Sequence, residues 1–91
     1  MSKIHEQITE ETWNKYELHV LDSSGKIQSS CLVGWMHKQG YRSVSKDSKE
    51  YTALINTIEI LYPRFNGILS FNDAPETTFD DVLRVLKVAD L

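Results

Sequence analysis

One stretch of the sequence, FNDAPETTFDDV at residues 71–82, decides how the chain folds. It predicts a polar turn between an apolar run and a capped helix. The apolar run, residues 68–71, is interpreted as a short strand or an extended core segment. Pro75 favours the turn, because proline fixes its own φ and lacks a backbone N–H. The last helix is predicted to begin at Thr77 or Thr78, since each hydroxyl precedes an aspartate by three residues, as in a capping box.

Asn72 and Asp73 have two alternative roles in this turn. Their side chains can accept hydrogen bonds from nearby backbone N–H groups, which predicts an Asx turn ahead of the last helix. Alternatively, they present polar groups to a ligand or a partner, beside helix N–H groups that attract anions. The sequence leaves both interpretations open.

Helical periodicity is clear on both sides of this turn. Apolar residues recur at spacings of three and four between Ser48 and Tyr62, and Pro63 prevents the helix from continuing. The same spacing predicts the final helix. Its apolar stripe consists of Phe79, Val82, Leu83, Leu86 and Ala89.

The first half of the chain predicts a strand followed by a turn. Residues 16–21 alternate apolar and polar side chains, which is typical of a strand with Tyr16, Leu18 and Val20 on one face. Residues 22–25, Asp-Ser-Ser-Gly, have the chemistry of a tight turn.

Residues 26–40 allow two arrangements. A short second strand at 26–28, followed by a helix to Gln39, is favoured over a longer hairpin. Gly34 would lie inside that helix, where glycine costs about 1 kcal/mol relative to alanine. That cost is tolerable where another element packs closely against the glycine. Cys31 is expected in the core as a small hydrophobic residue.

These patterns predict a small single α+β domain of three to four helices with a short strand or a β-hairpin. Residues 1–7 are expected to form a flexible segment. Thr9, with Glu10 and Glu11 after it, is predicted to start one or two helical turns, because acidic groups favour a helix N-terminus.

Composition excludes several classes of function. The chain has 91 residues and a net charge of -3, which is not the basic footprint of a nucleic-acid-binding protein. No apolar run approaches the ~20 residues that cross a bilayer, so no membrane association is predicted. The single cysteine cannot form an internal disulfide, which favours a reducing, cytoplasmic setting.

The sequence also offers no catalytic or metal-binding constellation. A nucleophilic Cys31 would need a base within hydrogen-bond reach, and His37 falls on a different face of the same predicted helix. His5, His19 and His37 lack the spacing of metal ligands. We therefore predict no enzyme activity, no metal and no cofactor.

The candidate binding residues lie around the basic middle of the chain and at the turn. They are Trp35, Lys38, Tyr41, Arg42, Asn72 and Asp73. Trp35 is either a core residue or part of an exposed aromatic patch suited to protein contact, whereas Trp13 is assigned to the core. Lys38, Arg42 and Lys46, with the turn, could instead hold a small anionic ligand or a nucleotide.

Several short motifs occur in a recognisable order. They are Trp13, Asp-x-x-Gly at 22–25, Cys-x-x-Gly at 31–34 and Asn-Asp-x-Pro-x-x-Thr at 72–78. In this order the chain resembles, over residues 8–90, an uncharacterised family of small bacterial and phage proteins known only as a domain of unknown function. The resemblance implies no established activity, and it implies a phage or mobile-element origin with a regulatory role directed at a host.

Two functions follow as hypotheses. The first is a small intracellular binding or regulatory protein that acts through protein–protein contacts. The second is a protein that binds a small molecule or nucleotide through the basic loop and the Asn72-Asp73 turn.

Overall fold

A computed structural model describes residues 2–41 and 48–91. Within these residues the chain forms five helices and a two-stranded antiparallel sheet, an α+β fold as predicted. The elements in chain order are α1 (Ile4–Gln7), β1 (His19–Leu21), β2 (Ile27–Ser30), α2 (Leu32–Lys38), α3 (Lys49–Leu61), α4 (Ile68–Asp73) and α5 (Phe79–Val88). The candidates Arg42 and Lys46 lie outside the described residues. None of the helices in the described part is long and apolar enough to cross a membrane.

The capping box of the last helix is confirmed, with Thr78 as the cap. The Thr78 hydroxyl accepts a hydrogen bond from the Asp81 N–H at 3.2 Å, and the Asp81 carboxylate accepts one from the Thr78 N–H at 2.9 Å. Asp81 also accepts a bond from the Tyr62 hydroxyl at 2.9 Å, which ties α5 to the end of α3. Burial opposes ionisation of Asp81, but the hydrogen bonds from Thr78 and Tyr62 outweigh it and lower the pKa.

The extended segment predicted at residues 68–71 is wrong, because this stretch is helix α4. Ile68, Phe71 and Asn72 are buried and lie at spacings of three and four, so they occupy one helix face. Because the buried residue Asn72 is polar, the apolar residues alone do not show the helical period in the sequence. The predicted Asx turn is also wrong, because Asn72 and Asp73 are helical and form the last turn of α4.

The strand predicted at residues 16–21 is also wrong in its first half. Only His19–Leu21 pairs as a strand, and Leu18 is largely exposed. Tyr16 has a φ of 73°, in the left-handed region, so the chain cannot be extended there. The favoured arrangement of residues 26–40 is confirmed, although β2 runs to Ser30 and α2 starts at Leu32.

The N-terminal residues also differ from expectation. A helix that was not predicted, α1, begins at Ile4. Thr9 starts a single turn as predicted, because its carbonyl accepts hydrogen bonds from the Thr12 N–H at 3.1 Å and the Trp13 N–H at 3.0 Å. Residues 1–7, expected to be flexible, include α1, which contacts α5 and buries Ile4 completely. Trp13 packs against the core and is partly buried.

The hairpin packs on α2 through a close backbone contact at Gly34. A Cβ atom added at Gly34 would lie 2.8 Å from the Ser30 Cβ and 3.1 Å from the His19 Cε1, and closer still to the Leu18 carbonyl oxygen. Only glycine leaves room for this approach, so the condition that makes a glycine tolerable inside this helix is met. The other edge of β2 is covered by the chain before the hairpin, because the Ser30 N–H donates to the Thr12 carbonyl at 2.8 Å.

Substituting Gly34→Ala tests this packing. Alanine normally stabilises a helix interior by about 1 kcal/mol relative to glycine, but here overpacking is expected to lower the free energy of unfolding by about 1–3 kcal/mol. Urea unfolding followed by circular dichroism measures the change. A variant more stable than the parent chain would contradict the close contact.

Candidate functional site

The buried amide of Asn72 joins three parts of the chain. Its Oδ1 accepts hydrogen bonds from the Trp13 indole N–H at 2.7 Å and from the Leu32 backbone N–H at 3.0 Å. Its Nδ2 donates to the Asn14 carbonyl at 3.1 Å and to the Asp73 carboxylate at 2.8 Å. An amide side chain has two donor hydrogens and two acceptor lone pairs. Asn72 uses all four inside the fold, at 0% exposure.

The bond to Leu32 also supplies a helix cap. Cys31 occupies the N-cap site of α2 without a capping hydrogen bond from its side chain, and it is buried, as expected. The first N–H groups of a helix have no partner within the helix. Asn72, forty residues away in sequence, satisfies one of them. The start of α2 is therefore attached directly to the end of α4.

Asp73 and the residues after it attach the segment before the hairpin. The Asp73 Oδ1 accepts a bond from the Tyr16 backbone N–H at 2.8 Å. The Lys15 ammonium donates to the Ala74 carbonyl at 2.6 Å and lies 5.7 Å from the centre of the Trp13 ring. Each residue from 13 to 16 is thus hydrogen-bonded to α4 or to the chain just after it.

Tyr16 adopts a strained backbone conformation as a result. A bulky residue with a positive φ is uncommon, and the left-handed conformation costs roughly 1–2 kcal/mol. Such a conformation persists where the surrounding structure determines it, and here the Asp73 carboxylate holds the Tyr16 N–H. The Tyr16 side chain is 72% exposed. The network therefore directs an aromatic ring into solvent.

Three further apolar side chains of the hairpin are exposed. The exposed fractions are 46% for Leu18, 59% for Leu21 and 42% for Ile27. Leu21 and Ile27 are opposed across the two strands, so their side chains lie on the same face. We call Tyr16, Leu18, Leu21 and Ile27 the hairpin surface.

A group of basic side chains lies where the hairpin meets α2. The His19 Nδ1 is hydrogen-bonded to the Ser30 hydroxyl at 2.7 Å. Burial, followed by the charges of Lys38 and His37, lowers the pKa of His19 below its usual 6.5. His37 and Lys38 form the last turn of α2, and both are exposed. We call His19, His37 and Lys38 the basic cluster.

The candidate residues from the sequence do not converge on one site. Of the two alternatives for Trp35, the structure has the core residue and not the exposed aromatic patch, because Trp35 is buried and its indole N–H donates to the Thr12 carbonyl at 3.2 Å. The Lys38 ammonium lies 3.9 Å from the centre of the Trp35 ring. Tyr41 instead lines a cavity of about 440 Å³ with Lys3 and Lys49. Asn72 and Asp73 form the separate network described above.

Sequence reasoning missed the partners in this network. Asn14, Lys15 and Tyr16 carry no motif, and 57 to 60 residues separate them from their partners in and after α4. The alternation of residues 16–21 even favoured a strand there. The only available signal was the adjacent pair Asn72 and Asp73, which the sequence identified without showing what it contacts.

The fold and the network define a small α+β domain with a partly apolar hairpin, attached to α2 at Gly34 and, through residues 13–16, to α4. Within the described residues no group of three or more histidine, cysteine, aspartate or glutamate side chains could hold a metal ion. A family model, described as a family of unknown function (DUF6197), matches residues 1–90, and the chain belongs to this family. No curated protein and no solved structure matches the chain.

Asn72→Ala is expected to destabilise the fold severely. The substitution leaves the Trp13 and Leu32 N–H groups without their acceptor, and each unsatisfied buried group costs about 1–3 kcal/mol. We expect the free energy of unfolding to fall by about 3 kcal/mol or more, measured by urea titration. Asn56→Ala is the matched control, because Asn56 is exposed on α3 and should change stability by only about 0.5 kcal/mol. Equal effects of the two substitutions would contradict the role of Asn72.

His19 makes stability depend on pH in a defined direction. Its lowered pKa means that the unfolded chain binds a proton more readily than the folded chain just below pH 6.5. The contribution of neutral His19 to the free energy of unfolding is therefore complete above pH 6.5. It is lost as the pH falls from 6.5 toward the pKa of His19 in the folded chain. Thermal unfolding from pH 7.5 to pH 5 should show a loss that His19→Gln removes and His5→Gln retains. A loss unchanged in His19→Gln would contradict this assignment.

Proposed function

We propose that this chain is a small binding and regulatory protein that acts through protein–protein contacts, and that the hairpin surface is its contact site. The observation that carries the proposal is Tyr16, an exposed aromatic residue held in a strained conformation by Asp73. Backbone strain of this kind concentrates at functional sites. The Tyr16 side chain adds no packing to the core, since it is 72% exposed.

The hydrogen bonds that hold residues 13–16 support this proposal. Binding a partner orders interface side chains and loops, and this ordering weakens affinity unless the surface is already fixed. Residues 13–16 are held by hydrogen bonds to α4 and the residues after it: Trp13, Lys15 and Tyr16 donate, and the Asn14 carbonyl accepts. Tyrosine is enriched among the residues that dominate binding energy. The backbone of Tyr16 is thus held in place within the fold.

The grouping of apolar side chains also supports the proposal. Single exposed apolar residues are normal on a protein surface, as with Ile60 on α3 and Val88 on α5. The four residues of the hairpin surface fall within twelve positions of sequence, and Leu21 and Ile27 are opposed across the strands. Grouped exposed apolar residues mark interaction sites.

The candidate residues from the sequence take different parts in this proposal. Asn72 and Asp73 are positioning residues, because their bonds are made within the fold. Trp35 supports the end of α2 from the core, and Lys38 on its ring lies at the border of the contact site. Tyr41 lies at the separate cavity with Lys3, and the proposal gives it no contact role.

We also propose a cytoplasmic location and a regulatory role directed at a host by a phage or mobile element. The location is supported by the single cysteine, which is free and buried. The host-directed role rests on the motif resemblance alone.

One observation favours a second candidate function, the binding of a small anionic ligand or nucleotide. Lys38 lines a cavity of about 330 Å³ with Ser2, Gln7 and Gln39, and no carboxylate pairs with it in the part of the chain that the structure describes. Asn72 does not belong to this candidate site, because its amide has no bonding capacity left.

Affinity capture with hairpin variants tests the main proposal. The immobilised chain is exposed to a bacterial lysate beside the double variant Tyr16→Ser/Leu21→Ser. We expect the partner retained by the parent chain to bind the variant about 30-fold or more weakly, the loss expected when hot-spot side chains are removed. The matched control is Ile60→Ser/Val88→Ser, which removes two equally exposed apolar residues elsewhere.

Two results would contradict the proposal. In one, the hairpin double variant retains every protein that the parent chain captures. In the other, the control double variant loses the partner and the hairpin variant keeps it. Circular dichroism of all variants shows that losses do not arise from unfolding.

A further inference from the structure

The connection between α3 and α4 presents the dipeptide Asn66-Gly67 to solvent. Its neighbours on either side, Phe65 and Ile68, are buried, whereas Asn66 is exposed. Gly67 has a φ of 128°, a conformation that residues with a side chain rarely adopt. The turn into α4 therefore requires glycine at this position, and it places an exposed asparagine directly before that glycine.

The groups of this dipeptide are not held by the fold. Among the residues that the structure describes, neither the Asn66 side chain nor the Gly67 N–H makes a hydrogen bond. A Cβ atom added at Gly67 would have no atom within 4 Å outside the adjoining residues. The Gly67 nitrogen is thus open to its own neighbour, the Asn66 side chain, and no side chain on Gly67 shields it.

An asparagine in this setting can react with the main chain. The Gly67 nitrogen loses its proton and attacks Cγ of Asn66, so that a new C–N bond forms. The bond between Cγ and Nδ2 breaks, ammonia leaves, and the product is a cyclic imide, the succinimide. Water then opens the ring. Opening at Cγ gives aspartate, whereas opening at the main-chain carbonyl gives isoaspartate, in which the chain runs through the former side chain.

The other three asparagines of the sequence lie in settings that oppose this reaction. Asn56 lies inside α3, where the next backbone N–H is bonded within the helix. Asn72 is buried, and its amide makes four hydrogen bonds. The Asn14 amide donates to the Ser29 hydroxyl at 2.9 Å. Of these residues, only Asn66 combines a free amide with a following glycine.

We propose that Asn66-Gly67 is a modification site, at which the folded chain deamidates through a succinimide to isoaspartate and aspartate. Water is the co-reactant and ammonia the leaving group, so the conversion needs neither an enzyme nor a cofactor. Because the attacking nitrogen must first lose its proton, the rate rises with pH. The inference is independent of the proposed contact function.

Isoaspartate at this position affects the network around Asn72. It adds one carbon atom to the main chain between two buried residues, Phe65 and Ile68. A close-packed core does not absorb such a change without movement, and the movement falls on α4, which Ile68 begins. Helix α4 carries Asn72, whose Oδ1 accepts the Trp13 indole N–H. Formation of isoaspartate therefore weakens the attachment of the segment before the hairpin.

Mass spectrometry of the aged chain tests the reaction. The folded parent chain is kept at pH 8, sampled over weeks and digested with trypsin, and the unaged sample corrects for deamidation during digestion. Trypsin releases residues 65–84 as one peptide, so Asn66 and Asn72 are compared within it. We expect Asn66 to deamidate about tenfold or more faster than Asn72 and Asn56, because only Asn66 precedes a glycine. Isoaspartate should exceed aspartate, and the rate should fall at pH 6.

Two variants and an unfolded sample serve as controls. Asn66→Gln keeps an amide but must close a larger ring, so it should stay unmodified over the same period. Asn66→Asp, freshly prepared, has the charge of the product without the added main-chain atom. The Trp13 indole N–H resonance should shift in the purified isoaspartyl chain and stay in place in Asn66→Asp. In guanidinium chloride the rate at Asn66 should agree with that of the folded chain within about threefold, because the fold does not hold this dipeptide.

Three outcomes would overturn the modification site. Asn66 deamidates no faster than Asn56, or it yields aspartate alone, as direct hydrolysis of the amide would, or it reacts about tenfold faster in guanidinium chloride, which shows that the fold protects it. The effect on the network has its own test. A Trp13 indole resonance that is the same in the isoaspartyl and the parent chain would show that α4 keeps its position, and would overturn that part of the proposal.

Discussion

The buried amide of Asn72 is the interaction on which the arrangement of this fold depends. A polar group removed from water is costly unless all its hydrogen bonds are made. Here the four bonds reach Trp13, Asn14, Leu32 and Asp73. One relative placement of α4, α2 and the chain before the hairpin satisfies them together. A leucine of similar size could fill the space but would not select that placement, since apolar packing tolerates more alternatives than a satisfied network does.

Elements whose signals are local could be predicted from the sequence. Ser48 caps α3 and Thr78 caps α5, and apolar residues recur at helical spacing in both helices. The Asp-Ser-Ser-Gly turn also formed as predicted, with the Asp22 carboxylate accepting a bond from the Ser24 N–H at 2.9 Å. In each case the residues that determine the structure lie within one or two turns of each other. No knowledge of the rest of the chain is needed.

Elements determined by distant contacts could not be predicted. Helix α4 has a polar residue at a buried site, so its period can be seen only once the partners of Asn72 are known. Tyr16 and Leu18 alternate with polar neighbours as a strand would, but Asp73, 57 residues away, holds the backbone of Tyr16 in another conformation. The candidate site shares this limitation. Sequence reasoning selected Asn72 and Asp73 as a pair but could not show that they determine the position of Tyr16.

The close contact at Gly34 explains why the apolar side chains of the hairpin remain in solvent. The hairpin meets α2 through the Leu18 carbonyl oxygen, the short side chain of Ser30 and the His19 ring, which approach the helix this closely because Gly34 has no side chain. None of these contacts uses a large apolar side chain of the hairpin. Leu18, Leu21 and Ile27 can therefore point away from the core without loss of the fold. Attachment of the hairpin thus depends on Gly34 and Asn72, and the exposed residues can vary without changing that attachment.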